Sequence, residues 1–201
     1  MISIAVTGLD GSGKSTQVEK LKNFLVKKNK SVVVASIWDS LTPLLNTQLT
    51  RQGLANYLKT LTPDGRASFM MSCLLDAKKR SEQTPADYLL WNSHIYKYWA
   101  TELCLGANPD VFNFYVEKIK APDFCISLDL EPELAFERKS LDRVSSYECG
   151  LKEISKENFI TFQKQAQGIF KKLIPAKTLG LEANQPEEII FRQIAKHAGI
   201  L

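Results

Sequence analysis

Gly8, Gly13, Lys14 and Ser15 stand at the spacing G-x-x-x-x-G-K-[ST], within Gly8-Leu9-Asp10-Gly11-Ser12-Gly13-Lys14-Ser15-Thr16 and directly behind the apolar residues 2–6. Glycines at this spacing let the backbone fold into a concave nest whose N–H groups point at phosphate oxygens, and a helix leaving the nest adds the positive end of its dipole. In such a loop the lysine reaches the β- and γ-phosphates and the next hydroxyl ligates Mg²⁺. The spacing therefore predicts cofactor binding by Gly8, Asp10, Gly11, Ser12, Gly13, Lys14, Ser15 and Thr16, a catalytic role for Lys14 and a metal contact for Ser15.

A strand must enter this loop and a helix must leave it. Ile2, Ile4, Ala5 and Val6 supply the first, and Val18, Leu21, Phe24 and Leu25 recur at helical spacing for the second. Residues 31–36 are β-branched and read as a second, buried parallel strand. It ends at Trp38-Asp39-Ser40, where a loop is expected at the carboxyl edge of the sheet; Asp39 reads either as facing the site or as a cap. Helical patterns over 44–61 and 66–81 are parted by Pro63-Asp64-Gly65. The second carries Asp76, Lys78, Lys79 and Arg80, a solvated charged face unless Arg80 turns to substrate.

Residues 88–91 form an expected third strand leading into Asn92-Ser93-His94, with His94 placed to meet a ligand. An aromatic-rich helix follows over 95–105, and 111–119 fits helix or strand equally. The apolar strand 124–129 ends in Asp129, which either holds Mg²⁺ through water or caps the helix that Pro132 starts. Arg138, Lys139, Asp142, Arg143 and Glu148 then surround Ser145-Ser146. A cationic segment at about 138–155 reads as a lid whose arginines, Arg138 and Arg143, neutralise a transferring phosphoryl group. A helix over 156–173 with Phe159, Phe162, Ala166, Ile169 and Phe170 as its buried stripe, a strand over 178–181 and a helix over 186–197 complete the pattern.

Strands alternating with helices predict an α/β fold: the three-layer P-loop NTPase arrangement, a central parallel sheet with helices on both faces. At 201 residues the expectation is one domain spanning 1–201. An apolar fraction of 44% argues against disorder, and no run approaches a membrane span, so no membrane partner and a cytoplasmic setting are expected. The net charge of +4 is spread over many segments, which favours local grips on phosphorylated ligands over nucleic acid. Cys73, Cys104, Cys125 and Cys149 lack C-x-x-C spacing and read as reduced, packed thiols. No N-K-x-D tetrad for guanine occurs, and the length suits a small-molecule kinase better than a transport or remodelling ATPase.

The loop, with its internal Asp10 and the following Gln17, resembles the opening of thymidylate kinases. Further matches follow in order. Leu74-Leu75-Asp76-Ala77-Lys78-Lys79-Arg80 is similar to that family's base-contacting helix, and Asp129-Leu130-Glu131-Pro132-Glu133-Leu134-Ala135-Phe136-Glu137-Arg138 to its strand and helix before the lid. Leu141-Asp142-Arg143 with Tyr147-Glu148 is similar to the lid, and Leu181-Glu182-Ala183-Asn184-Gln185-Pro186-Glu187-Glu188-Ile189 to the segment against adenine. The resemblance implies ATP with Mg²⁺, a small-molecule nucleotide acceptor and a homodimer, to which the helix around Tyr96, Tyr98 and Trp99 contributes unless it is core. It also implies that Asp10 contacts the acceptor's sugar or phosphate, Arg138 and Arg143 serve the phosphates, and Arg80 approaches the acceptor base.

The departures are confined to the acceptor side. Where the family has Asp-Arg-Tyr this chain has Asn92-Ser93-His94, which removes the arginine that grips the acceptor phosphate and the carboxylate that supports Mg²⁺. Asp76 stands where a phenylalanine stacks on thymine, and Trp38-Asp39-Ser40 replaces Arg-Glu-Pro-Gly. The expectation is an intact donor site and a rebuilt acceptor site using Asp10, Asp39, Asp76, Arg80, Asn92 and His94. Asp76 would accept hydrogen bonds from an exocyclic amine, and Arg51 or Arg66 is a possible source of the missing arginine.

Overall fold

The run Ile2–Thr7 forms β1, and its alternation explains the layers. In a computed structural model describing residues 1–45, 50–139 and 141–201, with the side chains of 42–45 and 51 outside that description, Ile4 and Val6 enter one core and Ala5 the other. A strand covered on both faces must be apolar throughout, as this one is. The loop leads into α1 (Lys14–Lys27), whose Val18, Leu21 and Leu25 pack on the Ile4 face. Next come β2 (Val32–Ala35), α2 (Ile37–Leu45), α3 (Arg51–Thr60), α4 (Pro63–Glu82) and β3 (Tyr88–Asn92). α5 (Ile95–Cys104), α6 (Asn113–Lys118), β4 (Phe124–Asp129), α7 (Pro132–Arg138), α8 (Lys156–Leu173), β5 (Leu179–Glu182) and α9 (Glu187–His197) follow.

The strands are all parallel, in the order β2-β3-β1-β4-β5. The loop strand is thus central, and its carboxyl end opens between β3 and β4. α1 and α9 cover one face, while residues of α2, α3, α4 and α5 build the core on the other. This is the expected three-layer arrangement.

Several local expectations are corrected. β2 is not a fully buried strand: it lies at the sheet edge with only β3 beside it, and Val32, Val33 and Val34 are half-buried. Trp38-Asp39-Ser40 is not a loop, because Ser36 starts α2 at once. Its Oγ accepts from Trp38 N at 3.1 Å while Asp39 Oδ2 accepts from Ser36 N at 2.7 Å, a reciprocal cap. Pro63-Asp64-Gly65 is the first turn of α4, with Thr62 Oγ1 accepting from Gly65 N and proline in the position where a missing N–H costs nothing. The ambiguous 111–119 stretch is a 3-10 turn, Pro109–Phe112, running into α6. α8 spans the predicted 156–173, its stripe buried except for a half-buried Ile169. All four cysteines are free thiols. Among the described residues no helix is long and apolar enough to cross a membrane.

Candidate functional site

The carboxyl ends of β1 and β3 open into one cleft of about 890 Å³. That is toward the upper end of the roughly 300–1,000 Å³ usual for small-molecule sites. Its floor is the loop: residues 10–17 all line it, while Gly8 is buried at the strand end. Gly11 has φ +83°, and a Cβ there would lie 2.8 Å from the Ala135 carbonyl, so only glycine lets α7 approach this closely. Gly13, φ +91°, caps α1, and nothing lies within 4 Å of where its Cβ would be. The first bond within α1 runs from Gln17 N to Gly13 O, so the N–H groups of Lys14, Ser15 and Thr16 have no intrahelical acceptor. N–H groups without an intrahelical acceptor on residues that line the cleft, with no acidic residue in the helix's first turn, fit a phosphate chain.

Charge in the cleft is crowded. Lys14 Nζ folds back on the Leu9 carbonyl at 2.6 Å, Lys97 Nζ donates to Asp10 Oδ1 at 2.8 Å, and Lys139 Nζ to Glu148 Oε1 at 2.5 Å. Burial pushes the Lys14 ammonium down to about 8. Asp10 and Glu148 counter this only in part because Lys97 and Lys139 add to the depression. Burial also disfavours the Asp10 carboxylate, but Lys97, Lys14 and Lys139 outweigh it and hold the group well below the usual carboxylate range.

Ser15 Oγ accepts from Asn92 Nδ2 at 3.1 Å. This pair offers a metal one hydroxyl and one neutral amide, and no cluster of three His, Cys, Asp or Glu side chains able to hold a metal occurs among the described residues. With no carboxylate in this pair, a Mg²⁺ here would take most of its ligands from waters and nucleotide phosphates. Asp129 neither faces the cleft nor caps a helix: its Oδ1 accepts from Ser127 Oγ at 2.7 Å.

On the donor side, Ala183, Gln185, Glu187 and Ile190 line the cleft beside the loop. Arg138 donates to the Ala183 carbonyl at 2.8 Å, and Gln17 to the Glu187 carbonyl at 3.0 Å, joining α7 and α1 to this wall. Arg143 lines the cleft, exposed. Glu148 also accepts from Ser145 N, capping the 3-10 turn Ser146–Cys149, and Gln163 Nε2 on α8 donates to the Glu148 carbonyl at 3.0 Å. The wall that α2, α3 and α4 supply is apolar apart from Gln52: Ile37, Trp38 and Leu41 of α2, Leu54, Ala55 and Leu58 of α3, and Met70 of α4.

The acceptor-side expectations divide. Asp10 and Asn92 are in the cleft; Asp39, Asp76, Arg80 and His94 are not among the residues that line it. Asp39 is the helix cap. Asp76 accepts from Ser40 Oγ at 2.6 Å and from Arg80 Nε at 2.8 Å, so the two residues expected to read a base satisfy each other one helical turn apart. His94 is wholly buried between Trp91 and Tyr96, ring centroids 5.2 and 5.0 Å away, and burial pushes its imidazole down to about 3. Arg66 is 2% exposed, its guanidinium held by Glu102 Oε2 at 2.8 Å and the Leu105 carbonyl at 3.1 Å; it is a core residue. The Arg51 side chain lies outside the described residues. Tyr96 and Tyr98 are buried in the core, Tyr98 also lining the cleft, and the half-buried Trp99 stacks on Phe112. The residue missed from sequence is Lys97. One cation in Tyr96-Lys97-Tyr98-Trp99, on the first turn of a helix where positive charge is disfavoured, is the signal that could have found it.

A family model described as thymidylate kinase matches residues 6–194. A thymidylate kinase from Caldicellulosiruptor saccharolyticus is 26% identical over 202 residues, covering 96% of this chain and 93% of that protein. One from Francisella philomiragia is 24% identical, covering 95% and 94%. Among solved structures, a deoxyadenosine kinase from M. mycoides with products dCMP and a flexible dCDP bound superposes with a TM-score of 0.65 at 13% identity, covering 100% of both chains. The same enzyme with bound dATP gives 0.62 at 15% identity, covering 99% of this chain and 100% of that one. At such identities the likeness is one of fold, and it is the P-loop fold expected from the sequence.

Proposed function

This chain belongs to the thymidylate kinase family, and from that premise we propose that it transfers the γ-phosphoryl group of ATP, with Mg²⁺, to a nucleotide-like acceptor. One observation carries the reading: the loop with its open N–H groups and the apolar wall of α2, α3 and α4 share a single cleft, so two ligands can meet end to end. When bound, ATP–Mg²⁺ supplies an activated phosphoryl group with its charge partly neutralised. Lys14 leaves the Leu9 carbonyl to hold phosphate oxygens, the N–H groups of residues 14–16 orient them, and Ser15 and Asn92 fix the metal side. Arg138 and Arg143, which line the cleft, would neutralise the charge that develops during transfer. Assembly as a homodimer and a cytoplasmic setting belong to the same proposal. The buried rings of Tyr96 and Tyr98 supply no surface for such a dimer.

A panel of nucleosides and nucleotides with ATP–Mg²⁺, followed by ADP release, tests this. At least one acceptor is expected to be phosphorylated well above acceptor-free hydrolysis. If ATP raises the melting temperature while every acceptor is left intact, the chain is a nucleotide-binding protein instead. Turnover of dTMP alone at ordinary rates contradicts a rebuilt acceptor site.

The loop lysine adds a pH dependence. In the free protein Lys14 loses its proton near pH 8, and a bound triphosphate demands the charged form, so proton uptake accompanies binding above that pH. ATP–Mg²⁺ affinity measured by calorimetry is expected to be level up to about pH 8 and about tenfold weaker at pH 9. Lys14→Arg, whose guanidinium stays charged, removes that slope.

A further inference from the structure

Among the described residues Glu102, on α5, is the only acid that is wholly buried. Its Oε2 accepts from Arg66 Nε on α4 at 2.8 Å, and Arg66 spends a second nitrogen on the Leu105 carbonyl instead of closing a two-pronged grip on the carboxylate. Oε1 is left for Tyr147, whose hydroxyl donates to it at 2.6 Å. That length lies in the roughly 2.5–2.7 Å range of charge-assisted O–H···O⁻ bonds, and burial together with the Glu102 charge keeps the proton on the phenol. Apolar side chains of like volume often join two helices at least as well as a buried ion pair, so the network asks for a reason beyond stability.

Tyr147 ties the network to the cleft, which its ring lines while its hydroxyl reaches the core. It belongs to the 3-10 turn Ser146–Cys149, which sends Tyr147 into the core built by α4 and α5 and Cys149 into the other core. Glu148, the next residue, pairs with Lys139 at 2.5 Å, and the Lys139 charge bears on both Asp10 and Lys14 of the loop. A chain of contacts thus runs from a buried acid on α5, through the turn, to a cation beside the phosphate loop.

We propose that Tyr147 is a positioning residue: anchored on Glu102, it fixes the turn so that Lys139, paired to Glu148, meets the transferring phosphoryl group in the geometry the reaction needs. The inference rests on the phosphotransferase reading above. Tyr147 acts through Glu148 and Lys139 and not on the reacting atoms, so loss of its hydroxyl falls on kcat more than on binding.

The full chain is tested with ATP–Mg²⁺ and whichever of thymidine, deoxyadenosine, deoxycytidine, deoxyguanosine and their 5′-monophosphates it phosphorylates fastest. Tyr147→Phe keeps the ring in the cleft and removes one oxygen. It is expected to lower kcat about ten- to a hundredfold, with the KM for ATP and the calorimetric affinity for a non-hydrolysable ATP analogue within about threefold. Its Tm should fall by about 5 °C, since Glu102 loses a partner. Phe112→Leu, in the same core and away from the cleft, is the control: a similar fall in Tm with kcat held separates positioning from plain stability. Lys139→Met is expected to lose kcat as well, and the double variant to lose no more than the larger single loss, whereas independent roles multiply. If Tyr147→Phe keeps its kcat, if Phe112→Leu loses as much, or if the double losses multiply, Tyr147 does not position Lys139 and the kinase reading stands. A wild-type chain that binds ATP and phosphorylates none of the acceptors overturns both.

Discussion

Lys14→Ala is expected to lower kcat/KM by about a thousandfold, or ~4 kcal/mol of transition-state stabilisation, the scale seen when a charged group on a transferring phosphoryl is removed. It should also abolish most of the thermal stabilisation that ATP gives, since that stabilisation follows directly from affinity. The folded protein without nucleotide should not suffer. Burial and the neighbouring Lys97 and Lys139 already disfavour the Lys14 ammonium, and its one hydrogen bond is to a carbonyl of its own loop. An unchanged or slightly raised Tm in the absence of ligand, with activity lost, separates this from a misfolded variant. Unaltered ATP affinity in Lys14→Ala would mean that the loop does not hold the triphosphate.

Arg66→Ala should produce the opposite pattern, a stability defect of about 3–5 kcal/mol from breaking a buried ion pair by one partner. Glu102 is wholly buried and would keep only the Tyr147 hydroxyl, 2.6 Å away. For a domain of this size the loss corresponds to a Tm lower by about 10 °C. The defect should shrink in acid. Burial raises the Glu102 carboxyl above its ordinary value, with Tyr147 and Arg66 opposing it, and without Arg66 the rise grows. The native state then holds a proton that the unfolded chain releases, so stability falls as pH climbs from the unfolded carboxyl's range through the raised one. Unfolding curves at pH 5 and pH 8 measure the difference. If Arg66 instead supplied the missing arginine, its loss would remove activity at temperatures where the fold persists.

Much of this was legible where the signal is local. The loop spacing, the strand before it and the 3.6-residue stripes of α1 and α8 depend on neighbours in the chain, and the structure follows them closely. Asp39, Asp76 and Arg80 were misplaced for a related reason: each has a partner three or four residues away, Ser36 for the first and each other for the second pair. An acid or base near a site attracts a functional reading, yet short-range caps and pairs consume most such groups. His94 was misplaced because the aromatic rings that bury it are set by how β3 meets α5. Lys97 was missed because its partner is Asp10, 87 positions away, and only the sheet order β3-β1 brings the two together.

Gln163 gives the 3-10 turn Ser146–Cys149 and the loop a common anchor. Its carbonyl oxygen receives the Asp10 N–H at 3.4 Å while its amide nitrogen donates to the Glu148 carbonyl, and the side chain is 2% exposed. A single planar group cannot tilt toward one partner without turning on the other. The nest at Asp10 and the 3-10 turn at Glu148 are thus tied to one buried side chain of α8.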